Sequence, residues 1–299
     1  MAARYAAIDV GTNSVLLLVA ERDARGKWQP VLERAEITRL GKGVDQSKRL
    51  APEAIETTVK CLEGYAKEAR EAGAAKIVTS ATSAARDASN GREFLDAAKA
   101  RAGLDIEIIA GAEEARLSYA SAHADFGGEV PLIVLDIGGG STEFIYGTAA
   151  GEVQFRHSFD VGSVRMTERF GGDANAVRKH LRQTFAALPK PPAAARLVGV
   201  AGTVTTVLSV SRAIEPYDAT KVHGAVMSRD EVHSISQKLL MLDLESRKKL
   251  PGLQPKRADV IPAGAMILEE SMDAVNARDL TVSDRGLRWG LLADRFKEA

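Results

Sequence analysis

Two short stretches of the 299-residue chain carry residue types suited to handling phosphate: Asp9-Val-Gly-Thr-Asn-Ser14 and Asp136-Ile-Gly-Gly-Gly-Ser141. Both read D-x-G-x-x-S. Glycine at the third position lets the backbone approach an anion closely, and successive N–H groups and a short hydroxyl can then point at phosphate oxygens. Gly11, Thr12, Asn13 and Ser14 make one such cradle, and Gly138, Gly139, Gly140 and Ser141 the other. A carboxylate is poorly suited to touching phosphate but well suited to holding Mg²⁺, directly or through water. Asp9 and Asp136 are therefore candidate metal ligands. A phosphoenzyme route through Asp9, as in hydrolases that carry D-x-D-x-T, loses support because Gly11 stands where the second acid would be.

Either turn alone could be no more than a hairpin tip. Their duplication argues otherwise, since Asp9 and Asp136, Gly11 and Gly138, and Ser14 and Ser141 are all separated by the same interval. Each acid ends an apolar run, Tyr5 to Val10 and Leu132 to Asp136, and each turn leads into a second strand, Ser14 to Ala20 and Thr142 to Tyr146. The elements around them alternate. Strands are expected near 31–40, 77–79, 106–109, 153–159, 197–200 and 280–283. Helices are expected after Pro52, over 83–102, from 113, over 164–169 and 175–188, after a Ser228/Glu231 capping box, over 257–276 and from 287. Alternating strands and helices imply α/β sheets. The repeat predicts two similar domains, 1–127 and 128–299, parting near Gly127-Gly128, with the site in the cleft between them. The last helix, about 287–299, is free to pack back on the first domain.

Composition narrows the remaining possibilities. Forty basic against forty acidic residues give zero net charge, so no global field draws the chain to nucleic acid or an anionic membrane. The 45% hydrophobic and 27% charged fractions are those of a globular protein. The one cysteine, Cys61, can form neither an intramolecular disulfide nor a cysteine zinc site, which favours the cytoplasm. No secretion signal or apolar span is read in the sequence. Walker, Rossmann dinucleotide, G-x-S-x-G and H-E-x-x-H signatures are absent, and the five histidines show no metal-ligand spacing.

Seven ordered stretches between Ile8 and Gly290 match a known family. They are the two D-x-G-x-x-S segments, the second extending to Glu143, with Thr82-Ser-Ala-Ala-Arg86-Asp-Ala-Ser-Asn90, Glu113-Glu-Ala-Arg-Leu117, Gly202-Thr-Val-Thr-Thr206, Arg257-Ala-Asp-Val-Ile-Pro-Ala-Gly264 and Ser283-Asp-Arg-Gly-Leu-Arg288. The chain resembles the exopolyphosphatase and guanosine pentaphosphate phosphohydrolase family. That resemblance implies two actin-like, ribonuclease H-like domains of the sugar-kinase, Hsp70 and actin superfamily. It implies hydrolysis of terminal phosphates from polyphosphate, with guanosine pentaphosphate 5′-phosphate hydrolysis, or a catalytically weak regulator that binds guanosine tetraphosphate or polyphosphate, as alternatives.

Carried over by position, the resemblance makes Glu114 the base that activates water. Asp136 and Glu143 become the metal-associated acids, with Asp9 completing the set and Mg²⁺, or Mn²⁺, as the ion. Arg86 becomes a phosphate-binding fork, and Gly202 and Thr203 supply N–H groups to a more distant phosphate. A homodimer is the assembly that the family suggests. Two departures stand out. Trp289 occupies a position where the family commonly has an acid, and the chain ends where longer members continue into a helical domain that grips long substrates. The basic runs Arg178, Lys179, Arg182 and Arg247, Lys248, Lys249 are the sequence's substitutes for that domain, unless they are only solvated helix faces.

Overall fold

The first hairpin sets the pattern for the chain. In the computed structural model, which describes residues 3–298, β1 (Arg4–Val10) pairs antiparallel with β2 (Ser14–Arg22), and Asp9 lies opposite Leu16. β2 pairs in turn with β3 (Trp28–Ile37). After α1 (Val44–Ser47) and α2 (Pro52–Glu71), β4 (Ala74–Ala81) joins β1 in parallel. α3 (Ser83–Asp87) and α4 (Gly91–Ala102) lead to β5 (Ile106–Ile108), parallel to β4. The sheet order is β3-β2-β1-β4-β5. Alternation along β1 and β2 sends Ile8, Val10, Val15 and Leu17 into the cluster beneath α2 and α4. Ala7, Leu18 and Ala20 go to the opposite face. A strand buried on both faces reads as a continuous apolar run.

α5 (Gly111–Phe126) follows, and then the pattern repeats. β6 (Leu132–Ile137), β7 (Thr142–Gly147) and β8 (Val153–Phe159) form an antiparallel meander. α6 (Ser163–Phe170) and α7 (Ala174–Phe185) precede β9 (Arg196–Val200), which joins β6 in parallel. Next come α8 (Ala201–Ser211), α9 (Ala219–Val222), β10 (Val226–Ser228), α10 (Arg229–Met241), α11 (Leu244–Arg247), α12 (Ile261–Ala274) and β11 (Asp279–Val282). The order β8-β7-β6-β9-β11 repeats the first sheet strand for strand and direction for direction. β10 is an added antiparallel edge. α13 (Leu287–Arg295) closes the described chain.

Two units result, one of residues up to Leu117 together with Leu287 onward, the other of Ser118–Gly286. The division falls inside α5 rather than at Gly127-Gly128, where the sequence suggested it. α13 belongs to the first unit, where Trp289, Leu291, Leu292 and Phe296 cover Ala7, Leu18 and Ala20 on the outer face of the first sheet. Trp289 is thus a core anchor. The helical stretches expected over 83–102 are α3 and α4, whereas the helix expected from Arg257 begins at Ile261, after a 3₁₀ turn over Pro255–Arg257. The short α1, α9, β10 and α11 were not expected at all. Among the described residues no helix is long and apolar enough to cross a membrane.

Candidate active site

The two D-x-G-x-x-S turns close in the same way. Gly11 donates its N–H to the Ser14 carbonyl at 2.9 Å, and Gly138 to the Ser141 carbonyl at 3.0 Å. In each unit the segment after the third strand then straps the turn down by its carbonyls. In the first unit Thr38 and Arg39 donate to Asn13 O and Gly41 donates to Thr12 O. In the second, Ser163 donates to Gly138 O, and Val164 and Arg165 donate to Gly139 O. The Arg165 Nε adds a bond of 2.7 Å to Gly140 O. Glycine is needed where strap meets turn, because a side chain at Gly41 would collide with Thr12 and one at Gly162 with Gly139. With the carbonyls engaged, no acceptor among the described residues takes the N–H groups of Thr12, Asn13, Gly139 or Gly140. Outward N–H groups of this kind are what an anion cradle requires.

Not every expected donor faces that way. The Thr12 hydroxyl is buried and shares a 2.7 Å hydrogen bond with Ser83 Oγ, which ties the first turn to α3. Asn13 and Ser141 are also buried, and Ser14 begins β2. At Thr12 the hydroxyl is thus engaged within the protein, and only the backbone N–H is left without an acceptor among the described residues.

In the second unit Asp136 and Glu143 are direct cross-strand partners, both buried. Two like charges opposite one another in a sheet are destabilising unless something sits between or beside them. Each acid has a hydroxyl donor, Ser118 Oγ to Asp136 Oδ2 and Ser158 Oγ to Glu143 Oε1, both at 2.6 Å. Burial pushes the Asp136 carboxyl above the usual carboxylate range, although the Ser118 bond pulls the other way. Among the described residues no three His, Cys, Asp or Glu side chains are gathered as metal ligands. The pair nonetheless fits Mg²⁺, which is commonly held by one or two carboxylates with water and phosphate oxygens completing the octahedron. Asp9 is the last residue but one of β1 in the first unit, half-buried.

Glu114 sits near the start of α5, 8% exposed. Arg86, at the end of α3, brings its Nη1 to 3.6 Å from Glu114 Oε2 and donates from the same atom to Ile109 O at 3.0 Å. The structure thus brings these two together within the first unit. Glu113 points elsewhere and takes two 2.8 Å bonds from Arg116, which hold its carboxyl below the ordinary value. Asn90 serves as a clamp, its side chain accepting from Leu50 N and donating to Leu50 O.

Gly202 and Thr203 open α8, after Ala201 in a left-handed conformation at φ 68°. The Arg257 guanidinium lies directly over Gly202, where any side chain would strike it. Burial lowers the pKa of Arg257, but an arginine stays charged at neutral pH. The sequence reading placed Arg257 in a matched stretch without assigning it to the site. Four residues of the two basic runs, by contrast, have partners within the protein. Arg178 binds Glu269 and Glu270, Arg182 binds Glu270, Arg247 donates to the carbonyls of Leu242 and Ala258, and Lys248 pairs with Glu245.

A duplicated actin-like α/β fold with a glycine turn in each unit, a buried acid pair and a buried Glu beside an Arg defines a phosphoryl-handling enzyme. The chain belongs to the Ppx/GppA phosphatase family, whose model matches residues 18–299. It is 36% identical over 312 aligned residues to exopolyphosphatase 2 of Mycobacterium tuberculosis, covering 96% of this chain and 97% of that one. Among solved structures it is similar to the Aquifex aeolicus member of the family, with 32% identity, a TM-score of 0.82 and coverage of 100% and 99% of the two chains. An exopolyphosphatase-like protein superposes with a TM-score of 0.91 at 29% identity, over 99% of each chain.

Proposed function

We propose that the chain is an exopolyphosphatase that releases orthophosphate from the ends of inorganic polyphosphate. The observation that carries the reading is the buried Glu114 carboxylate beside Arg86, in a unit whose glycine turn keeps its N–H groups available. Glu114 accepts a proton from water as the water oxygen bonds to the terminal phosphorus. The bridging P–O bond breaks, and the chain leaves one phosphate shorter. Arg86 offers a planar fork to the phosphate oxygens next to that water. Within the same unit, the N–H groups of Thr12 and Asn13 supply fixed donors for the charge that develops on those oxygens. Asp136 and Glu143 would hold Mg²⁺, which when bound neutralises phosphate charge. The serine bonds from Ser118 and Ser158 hold one oxygen of each acid in place.

The test is a side-by-side assay of phosphate release from polyphosphate, guanosine pentaphosphate and p-nitrophenyl phosphate, with Mg²⁺ and with chelator. The expected result is Mg²⁺-dependent turnover that is fastest on polyphosphate. Turnover confined to guanosine pentaphosphate would replace the substrate, and turnover of the monoester alone would remove the reading.

A further inference from the structure

A neutral molecule that takes a long polyanion must attract it with local charge. In the two basic runs the arginines are committed to internal partners, Arg178 and Arg182 to Glu269 and Glu270 and Arg247 to the carbonyls of Leu242 and Ala258. One cationic segment is placed differently. Between β3 and α2 the chain reads Arg39-Leu-Gly-Lys42-Gly-Val-Asp45-Gln-Ser-Lys48-Arg49, four cations to one acid. This is the segment that straps the first glycine turn, through Thr38 and Arg39 on Asn13 O and Gly41 on Thr12 O.

Its fixation extends along its length. Val44 is buried in the first core, Lys48 O accepts from Ser89 N, and Asn90 clamps Leu50. Arg39 and Lys48 are both held at positive φ, 57° and 53°, a strained choice for side chains of this kind. Lys42, Lys48 and Arg49 are exposed. No carboxylate among the described residues lies within ion-pairing distance of Lys42. Lys48 reaches Asp45 only at 4.0 Å, and Arg49 meets the exposed Glu93 at 3.4 Å. A rigid backbone thus carries weakly paired cations beside the turn that faces phosphate.

We propose that this strap, through Lys42, Lys48 and Arg49, grips phosphates of the polyphosphate chain beyond the one being cleaved and sets the preference for chain length. The inference rests on the exopolyphosphatase reading above. Contacts of this kind are electrostatic and independent of sequence, so they weaken with salt in proportion to the cations engaged.

The test compares wild type, the triple variant K42Q/K48Q/R49Q and a control, K60Q/K67Q, on the exposed side of α2. KM and kcat are measured on tripolyphosphate and on long-chain polyphosphate over a range of salt, together with direct binding of long-chain polyphosphate. In the triple variant KM for the long chain should rise about tenfold, the combined effect of three exposed charge contacts, with a flatter salt dependence. The change on tripolyphosphate should be much smaller, and the control should follow wild type. Equal effects on both substrates, or wild-type KM on both, would overturn the proposal. If wild type binds long chains through these residues but releases no phosphate, the strap stands and the exopolyphosphatase reading fails.

Discussion

Glu113 and Glu114 are neighbours on α5 and meet opposite surroundings. One is paired outward with Arg116, and the other is buried beside Arg86. Consecutive helical residues do not share a face, so a one-residue difference in the sequence decides which carboxylate is buried beside Arg86. The pairing of Glu114 with Arg86 was not legible in the sequence, because the contact forms across β5 and a helix start. Thr12 shows a similar limit. Its place in a glycine turn was legible, but the direction of its hydroxyl was not, since Ser83 lies on a separate helix. Thr12→Val should strand the Ser83 hydroxyl and lower the unfolding free energy by about 1–2 kcal/mol, with Thr12→Ser restoring most of it. Chemical denaturation reads this directly, and an unchanged midpoint for the valine variant would show that the hydrogen bond contributes nothing.

At the scale of elements, the strand-turn-strand repeat was plain in the sequence, since apolar runs ending in Asp-x-Gly recur at a fixed interval. The straps that hold the turns were invisible. They act through backbone N–H groups on backbone carbonyls, which leave no side-chain signature beyond Gly41 and Gly162. The start of α12 was misplaced because apolar spacing ran back to Arg257. Pro262 lacks an N–H and is tolerated only in a first turn, and this sets the start at Ile261.

The same helix presents Glu269 and Glu270 to the interior, a choice that Arg178 and Arg182 of α7 explain. Burial alone would raise the Glu269 pKa, but bonds from Arg178, His233 and Ser236 outweigh it and leave the value lowered. A lowered value means that stability is present above the ordinary carboxylate pKa and is lost as pH falls through the folded one. Arg178→Ala should therefore cost about 3 kcal/mol at neutral pH, with the gap to wild type narrowing below about pH 4. Urea midpoints followed by circular dichroism would check it. A gap that stays constant with pH would mean that packing, not charge, is what was lost.

For the whole molecule, the duplicated strand-turn-strand pattern pointed to two related α/β units, and the two sheets repeat one another in order and direction. The point of division was not legible, because α5 runs through it as an unbroken helix with no glycine or proline to mark the change. The central claim is that this chain hydrolyses phosphoanhydrides with Glu114 as its base. The most direct measurement is orthophosphate release from polyphosphate by wild type and Glu114→Gln at equal concentration in Mg²⁺, with substrate binding measured on both. Loss of turnover by about 10²-fold or more, with affinity held within a few-fold, is the predicted result. A glutamine variant that turns over near the wild-type rate would contradict it.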